Sequence, residues 1–367
     1  MKNLFFYGTL RHVPLLEIVM GRAATALDVT AAVLPDHLVS SVAEGPFPTI
    51  APSMGDHADG ILVRGLSDDD IARLDFYEGS FEYDLLPITL ADGQNAEVYF
   101  PQIGRWTPQA PWDLAHWVAE WAELSCHAAR EVMGYMGQKT RDEVAAMFGM
   151  IRKRAGSRVN GARSLHGAGT LHGKIDISER QRKYAHFFAL DEMQLRHEQF
   201  DGAMSDTLDR AVFIAADAAI LLPYDPVRDR VLLVEQIRMG PLARGDTSCW
   251  QLEPIAGHID AGETPQQAAL REAQEEAGIS ITTLEKVAEV YASPGNSTEF
   301  YYIFVGLADL ADHVQGTGGL ASEGEDIKSH VMSFDALMTL VDRLDAANAP
   351  LVLAAYWLAR NRERLRG

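Results

Sequence analysis

The segment that most constrains how this chain folds is GHIDAGETPQQAALREAQEEAGI, residues 257–279, which joins a glycine-containing loop to an acidic helix-forming run. Thr264 can cap the helix, and Pro265 suits its first position because the N–H that proline lacks has no partner there. Gly278 supplies the left-handed conformation in which many helices end. Alanines within the run are small enough to pack closely on a sheet. The segment therefore predicts a helix between Thr264 and Gly278.

Three glutamates of that helix, Glu272, Glu275 and Glu276, crowd into five positions. Glu272 and Glu276 are four residues apart, so on a helix they repel each other across one turn. They also lie near the helix C-terminus, where the helix dipole disfavours negative charge. A solvated acidic face is the simplest interpretation, but these costs favour a binding role. Carboxylates on one helical face beside a loop carbonyl form an oxygen site suited to Mg²⁺ or Mn²⁺.

The spacing within residues 257–279 resembles the complete Nudix box. Glu263 follows Gly257 after five residues, and the run REAQEEAGI begins at Arg271 after seven more. The resemblance implies an enzyme that cleaves a nucleoside diphosphate linked to another moiety. Because the diphosphate is anionic and repels hydroxide, a divalent cation must neutralise it and activate water.

The resemblance also implies a role for each box position. Glu272 and Glu276 would ligate Mg²⁺, or Mn²⁺ in its place. Glu275 would assist as a further metal ligand and catalytic group, and Ala256 would offer its backbone carbonyl. The other box positions would be structural, orienting the loop and the ligands: Gly257, Glu263, Arg271 and Gly278.

Residues outside the box narrow the expected substrate to ADP-ribose. Pro294 lies sixteen residues after Gly278, an offset associated with ADP-ribose pyrophosphatases within the family, although SPG is also an ordinary turn. The similarity to bacterial ADP-ribose pyrophosphatases covers roughly residues 171–366. It is carried by four segments: RHEQFDGAMSDTLDRAVF, LLPYDPVRDRVLLVEQIR, WQLEPIAGHIDAGE and LASEGEDI. It implies metal-dependent hydrolysis of ADP-ribose to AMP and ribose 5-phosphate.

That similarity also implies substrate contacts. Arg238 and Arg210 would contact the diphosphate, because a planar guanidinium binds phosphate through two hydrogen bonds. A surface ion pair is the alternative interpretation for each arginine. Glu323 would act on the attacking water, with Glu325 as the alternative. Phe188 would stack on adenine, and a core position is the other interpretation. In this family a sheet preceding the box is often exchanged between subunits, which predicts a homodimer through the Nudix domain.

Two alternative functions stay open. The box does not identify the base, so another nucleoside diphosphate sugar or a dinucleotide also fits. A Nudix fold can instead serve as a ligand-sensing module with the N-terminal domain as effector. An intact set of metal glutamates argues against a sensor, which does not need them.

The N-terminal segment carries a second resemblance. FFYGTLR, residues 5–11, places a Gly-Thr turn at the end of a buried strand, where backbone amides can hold a carboxylate. LDFYEGSFEY carries Glu78 after a short helix. Together they resemble the gamma-glutamylcyclotransferase-like family, which implies that Glu78 shuttles a proton and that the substrate is cradled by Tyr7, Gly8, Thr9 and Leu10. An ordinary strand-turn with a surface glutamate is the alternative. The fusion of both domains resembles bacterial proteins associated with tellurite resistance. Tellurite resistance is a phenotype, and it implies no mechanism for the protein.

At 367 residues the chain is too long for one ordinary core, which predicts two domains of the α/β (α+β) class. Residues 1–106 are expected to form a small gamma-glutamylcyclotransferase-like mixed β-barrel with helices. Residues 107–170 are expected to be a helical connector and linker, and residues 171–367 a Nudix α/β/α sandwich. The basic, glycine-rich run 152–170 is interpreted as a solvated linker, or else as neutralising a neighbouring acidic face.

Composition excludes several other classes. The net charge of −20, with 52 acidic against 32 basic residues, argues against binding to nucleic acid or anionic membranes. No apolar run approaches the roughly twenty residues that a membrane span requires. Two cysteines are too few for a disulfide scaffold or a zinc cluster. The apolar start of the chain is interrupted by Gly8, Arg11, His12 and Glu17, which argues against a signal peptide, so a cytoplasmic location is expected.

Overall fold

The chain divides into two compact units, Met1–Leu165 and His166–Gly367. The two-domain mixed α/β class predicted from the sequence is confirmed. No helix within the described ranges is long and apolar enough to cross a membrane. The structure is a computed structural model, and it describes residues 1–78, 83–102, 104–164, 169–314, 316–319 and 324–367.

Six strands of the first unit form one sheet. They are β1 (Lys2–Phe6), β2 (Asp28–Val42), β3 (Gly45–Leu66), β4 (Tyr83–Thr89), β5 (Asn95–Pro101) and β6 (Pro108–Pro111). Their order is β4-β5-β1-β3-β2-β6, with β1 parallel to β5 and antiparallel to β3. Among the described residues the edge strands β4 and β6 do not pair with each other. The expected barrel is therefore an open sheet in the part of the chain that the structure describes.

Five α-helices accompany this sheet in the described residues. They are α1 (Val13–Met20), α2 (Asp68–Glu78), α3 (Leu114–Gly134), α4 (Arg141–Ala146) and α5 (Phe148–Arg163). The amphipathic helix α3 contributes Trp117 and Cys126 to the same core cluster as Leu4 and Leu15. The segment expected to be a connector is thus packed within the first unit.

The basic run from residue 152 differs from the expected linker. Helix α5 continues to Arg163, because side chains such as Ile151 and Val159 are buried along one face. Arg154 is 1% exposed and donates to Glu131 of α3 at 2.6 Å. The alternative interpretation, that the basic run neutralises an acidic face, agrees with this pairing.

The strands of the second unit form two sheets. β7 (Ile175–Ala185), β8 (Ala189–His197) and β9 (Leu208–Ile214) make a three-stranded antiparallel sheet. The main sheet has the order β14-β15-β10-β11-β17-β16, with β12 added to β11 and β13 added to β10. Its strands are β10 (Ala218–Asp225), β11 (Arg230–Ile237), β12 (Trp250–Glu253), β13 (Ile255–His258), β14 (Thr283–Tyr291), β15 (Phe300–Leu307), β16 (Thr317–Gly318) and β17 (Ile327–Ser333).

Helices cover both faces of the main sheet. Strand β10 is buried along its whole length, and successive side chains point to opposite faces. Leu221 packs in a cluster with alanines of α7 (Pro265–Ala277), whereas Leu222 packs with side chains of α8 (Phe334–Asp342) and α9 (Ala349–Arg366). The short helix α6 (Met239–Arg244) follows β11. The expected α/β/α sandwich is confirmed.

Candidate active site

Local signals fix the position of α7. The Thr264 side chain accepts from the Gln267 N–H at 3.2 Å, and the Gln267 side chain accepts from the Thr264 N–H at 2.8 Å, so two end groups of the helix are satisfied. At the other end Gly278 is left-handed, with φ of 62°. Ala269 and Ala273 are fully buried against the main sheet. The helix is thereby held against the main sheet, close to β13.

We predict that Gly278→Ala destabilises the second unit by about 1–2 kcal/mol, because a Cβ is strained in the left-handed conformation. Urea unfolding monitored by circular dichroism measures the change. Gly161→Ala is the matched control, since Gly161 lies in α5, where a Cβ would meet open space. Equal midpoints for wild type and Gly278→Ala would contradict this role for the residue.

Arg271 donates hydrogen bonds to several groups of the box. Its Nε and Nη2 donate to the two carboxylate oxygens of Glu263 at 3.0 Å each, and Nη2 also donates to the His258 carbonyl at 3.1 Å. Its Nη1 donates to Glu272 at 2.6 Å and to Glu275 at 2.9 Å. The hydrogen bonds to Glu263 are the main reason that the pKa of Arg271 is raised. Arg271 therefore ties the loop to the helix and aligns two box carboxylates.

Gly257 lets Glu272 approach the loop. A Cβ built on Gly257 would lie 1.8 Å from Oε1 of Glu272, much closer than atoms can approach. On the neighbouring residue the Ala256 N–H points to Oε2 of Glu276 at 3.4 Å. The Glu272 and Glu276 side chains are thus held against the same strand, β13.

Glu276 is a buried carboxylate, with an exposed fraction of 1%. Burial raises its pKa to about 9, and the negative charges of Glu272 and Glu325 contribute to the increase. Burial also raises the pKa of Glu272. A cation placed beside Glu272 and Glu276 would stabilise their charged forms.

The donor set fits a hard divalent cation. Glu272, Glu276 and the Ala256 carbonyl offer oxygen atoms only, which suits Mg²⁺ or Mn²⁺. The Glu272 carboxylate occupies the space that a Cβ on residue 257 would fill. Within the described residues, no three acidic, histidine or cysteine side chains are already gathered as ligands. Arg271 donates to one carboxylate oxygen of Glu272 and to one of Glu275.

The chain just before residue 320 is anchored to the C-terminal end of α7. The Gly319 N–H donates to the Glu275 carbonyl at 3.3 Å, and a Cβ on Gly318 would lie 2.2 Å from the Glu276 carbonyl oxygen. Glu323 falls outside the described residues. Glu325, the alternative loop carboxylate, lies near enough for its charge to act on both Glu272 and Glu276.

Arg238 is held by a glutamate that sequence reasoning missed. Its Nε and Nη2 donate to both carboxylate oxygens of Glu253, over distances of 2.6 to 3.0 Å, and Glu253 is buried. The charges of Glu276 and Glu325 also act on Arg238, which places it beside the box carboxylates. The available signal for Glu253 was an acidic residue at the end of the short strand WQLE, directly before Pro254.

Arg210 lies on β9, on the three-stranded sheet. Its Nη1 donates to the Asp209 carbonyl at 2.8 Å, and it forms no hydrogen bond to the box within the described part of the chain. The groove beside it is lined by residues of that sheet, including Lys183 and Met193. The structure brings Arg238 to the box but does not bring Arg210 there within one chain.

An aromatic group connects the three-stranded sheet to the box. Phe188 lies 4.8 Å from Phe213, and Phe187 lies 5.6 Å from His258, measured between ring centroids. Phe188 is 36% exposed, so one part of the ring is packed and another is accessible. Pro294 is exposed in a turn whose end, at Asn296, accepts from the Phe213 N–H at 2.8 Å.

The first unit contains a cavity of about 110 Å³. Glu78 lines it, and burial raises the pKa of this carboxyl to about 7. The residues of the first unit that the sequence predicted as a site all lie around this cavity: Tyr7, Gly8, Thr9, Leu10 and Glu78.

Comparison with known families divides the chain in the same way. Residues 215–354 match the family described as NUDIX domain, and residues 4–118 match the family described as gamma-glutamyl cyclotransferase, AIG2-like. The second match ends within α3, so α4 and α5 lie beyond it.

Curated relatives match the second half of the chain. The ADP-ribose pyrophosphatase of Escherichia coli K12 is 41% identical over 192 residues, which are 52% of this chain and 91% of the relative. The enzyme of the same name from Haemophilus influenzae is 37% identical over 193 residues, covering 52% and 88%. A GDP-mannose pyrophosphatase from Pectobacterium atrosepticum is 28% identical over 172 residues, covering 47% and 87%.

Proposed function

Since the chain belongs to the Nudix family, we propose that its second unit hydrolyses ADP-ribose to AMP and ribose 5-phosphate with the help of Mg²⁺ or Mn²⁺. The observation that carries the proposal is the buried Glu276 beside Glu272, Glu325 and Arg238. The higher identity to relatives named ADP-ribose pyrophosphatases than to those named GDP-mannose pyrophosphatases supports the choice of substrate.

Glu272, Glu276 and the Ala256 carbonyl would hold the cation. When bound, it neutralises the diphosphate and makes water a better nucleophile at neutral pH. Glu275 lies on the same helical face, where Arg271 aligns it. Arg271 is itself held by its hydrogen bonds to Glu263, so the loop that carries Glu263 and the helix are oriented together.

Arg238 would bind the diphosphate, because a guanidinium that Glu253 has already oriented loses little conformational freedom when it binds phosphate. Glu323, or Glu325 in its place, would accept the proton of the attacking water. The water oxygen then forms a bond to one phosphorus, and the bond from that phosphorus to the bridging oxygen breaks. Arg210, Phe188 and Pro294 would contact the substrate in a dimer, where the three-stranded sheet of one subunit can reach the other.

Product analysis tests this proposal. With ADP-ribose and Mg²⁺, chromatography is expected to yield AMP and ribose 5-phosphate in equal amounts, and EDTA is expected to stop their formation. Turnover of GDP-mannose or of a dinucleotide without turnover of ADP-ribose would favour an enzyme for another nucleoside diphosphate sugar or for a dinucleotide. Tight ADP-ribose binding with no product in the presence of Mg²⁺ or Mn²⁺ would favour a sensing module.

We also propose a homodimer formed through the second unit. The three-stranded sheet leaves apolar side chains exposed, including Ile175 at 65% and Tyr184 at 59%. Exposed apolar side chains gathered on one element are typical of a surface that a partner covers. Light scattering after size-exclusion chromatography is expected to give twice the chain mass, and a monomer at micromolar concentration would contradict the proposal.

A second candidate function concerns the first unit, and the cavity that Glu78 shares with the Tyr7–Leu10 loop favours it. We propose cyclisation of a gamma-glutamyl group. The α-amino nitrogen forms a bond to the γ-carbonyl carbon, the bond to the departing amine breaks, and Glu78 carries the proton from the attacking nitrogen to the departing one. Glu78→Gln is expected to abolish this reaction while ADP-ribose hydrolysis continues.

The pKa of Glu78 gives a pH prediction. It is about 7 in the folded chain against an ordinary 4.5. Between these values the folded chain binds more protons than the unfolded chain, so stability falls as the pH rises from 4.5 to 7 and the loss is complete above pH 7. We expect Glu78→Gln to stabilise the first unit by about 1–3 kcal/mol at pH 8 and by clearly less at pH 5.

Denaturant unfolding of wild type and variant at both pH values measures this difference. Glu120→Gln, at an exposed position on α3, is the matched control and is expected to change stability equally at both. A Glu78→Gln effect that does not depend on pH would contradict the raised pKa of Glu78.

A further inference from the structure

Two adjacent glycines, Gly318 and Gly319, lie between helix α7 and Glu325 in the second unit. Gly318 ends the short strand β16 and pairs with Ile327 of β17. Its backbone lies against the main chain of Glu276, because a Cβ built on Gly318 would meet the Glu276 carbonyl oxygen at 2.2 Å. No side chain fits at that distance, so this approach requires glycine.

Gly319 makes the matching contact with Glu325. A Cβ built on Gly319 would lie 2.8 Å from the Cβ of Glu325 and 3.3 Å from its Oε2. The φ of Gly319 is 94°, a conformation that residues with a side chain rarely adopt. Its N–H also donates at 3.3 Å to the Glu275 carbonyl, one of the last carbonyls of α7, which have no partner within the helix. Gly319 therefore contacts both α7 and Glu325.

The distance between Glu325 and α7 bears on the box carboxylates. The charge of Glu325 acts on both Glu272 and Glu276, the two glutamates assigned above to the cation. The interaction between two charges weakens as the distance between them grows. A displacement of Glu325 relative to α7 therefore changes how strongly the site attracts a cation.

Helix α7 is the more firmly held side of this contact. Its buried alanines pack on the main sheet, and Thr264 caps its first turn. Strand β16 has two residues, and among the described strands it pairs with β17 alone. A side chain added at residue 318 is therefore expected to move residues 317–319, and Glu325 with them, while Glu276 stays in place.

We propose that Gly318 and Gly319 are positioning residues that set the distance between Glu325 and the box carboxylates Glu272 and Glu276. The inference rests on the cation site proposed above, and it adds two residues outside the box to the construction of that site. Full affinity for the cation then depends on a contact between α7 and a segment distant in sequence, and not on the box alone.

Binding of Mn²⁺ to the full chain without substrate tests this inference, measured from the electron paramagnetic resonance signal of free Mn²⁺. Gly318→Ala is expected to weaken binding by about tenfold, because it moves a unit charge away from a divalent cation. Gly316→Ala is the matched control, since a Cβ on this nearby glycine would meet open space. In the Glu325→Gln background, Gly318→Ala is expected to change the affinity by no more than about twofold, because the displaced charge is already absent.

The outcomes separate the inference from the proposed function. An equal loss in both backgrounds, or no loss from Gly318→Ala, would overturn the inference, since Gly318 would then not act through Glu325. The expected binding pattern without turnover of ADP-ribose would uphold the inference and contradict the hydrolysis. No binding of Mn²⁺ by wild type would contradict the cation site and the inference with it.

A second variant covers the case in which Gly318→Ala does not fold, as judged by circular dichroism. Gly319→Ala then takes its place, because the added Cβ displaces Glu325 directly. The same loss of Mn²⁺ affinity is expected, and it is expected to disappear in the Glu325→Gln background. A loss that persists in that background would overturn the inference.

Discussion

Replacing Glu276 by glutamine is expected to lower kcat for ADP-ribose hydrolysis by roughly a thousandfold, since a catalytic cation supplies several kcal/mol of transition-state stabilisation. Glu276 is 1% exposed and faces the charges of Glu272 and Glu325. Glutamine has nearly the same shape and keeps an oxygen for the Ala256 N–H, but it lacks the negative charge that a cation requires. Initial rates at saturating ADP-ribose over a range of Mg²⁺ concentrations measure the effect.

Glu285→Gln is the matched control for this variant. Glu285 lies on β14, outside the proposed site, and pairs with Arg364. It is expected to keep the wild-type rate. Unfolding experiments on both variants verify that the second unit is folded. Wild-type turnover by folded Glu276→Gln would contradict the assignment of Glu276 to the cation.

Gly257→Ala is expected to lower kcat/KM for ADP-ribose by about a hundredfold, because misplacing a catalytic group by about 1 Å can cost that much. The added Cβ would lie 1.8 Å from Oε1 of Glu272, so the carboxylate must leave its place against β13. The atom displaced is the far end of a flexible side chain. We therefore expect a large loss of activity with a small loss of stability.

Rate measurements and urea unfolding on the same preparations separate these two effects. Gly161→Ala, which meets open space on α5, controls for the change from glycine to alanine. A higher Mg²⁺ concentration is expected to restore part of the rate, since it favours return of the Glu272 carboxylate to the cation. A variant with full activity would show that Glu272 does not need its observed position.

The sequence was most informative where structure is decided locally. The cap at Thr264, the proline after it and the left-handed Gly278 predicted the bounds of α7 because each acts on its own turn of helix. The layers of the second unit were also predictable, since the apolar strand β10 must be covered on both faces. The roles of the individual site residues stay predictions.

Contacts between distant parts of the chain could not be predicted in this way. The pairing of Arg238 with Glu253 depends on β11 and β12 lying side by side, which no local pattern specifies. The close approach of Gly318 to the C-terminal end of α7 is likewise a contact between segments that are far apart in sequence.

A contact between distant parts of the chain also explains why the prediction for part of the first unit was wrong. Composition marked residue 152 onward as a linker, because basic and glycine residues are common in solvated segments. The structure continues α5 to Arg163, since Arg154 finds a buried partner in Glu131. That long-range ion pair joins α5 to α3 within the first unit.

A competition experiment tests the central claim most directly. The full chain is given equal concentrations of ADP-ribose, GDP-mannose and a dinucleotide with Mg²⁺, and the initial rate of loss of each compound is followed by chromatography. The account predicts that ADP-ribose disappears first, with AMP and ribose 5-phosphate as products, and that EDTA or Glu276→Gln stops the reaction. Preferential loss of another nucleotide, or undiminished loss of ADP-ribose in EDTA, would contradict it.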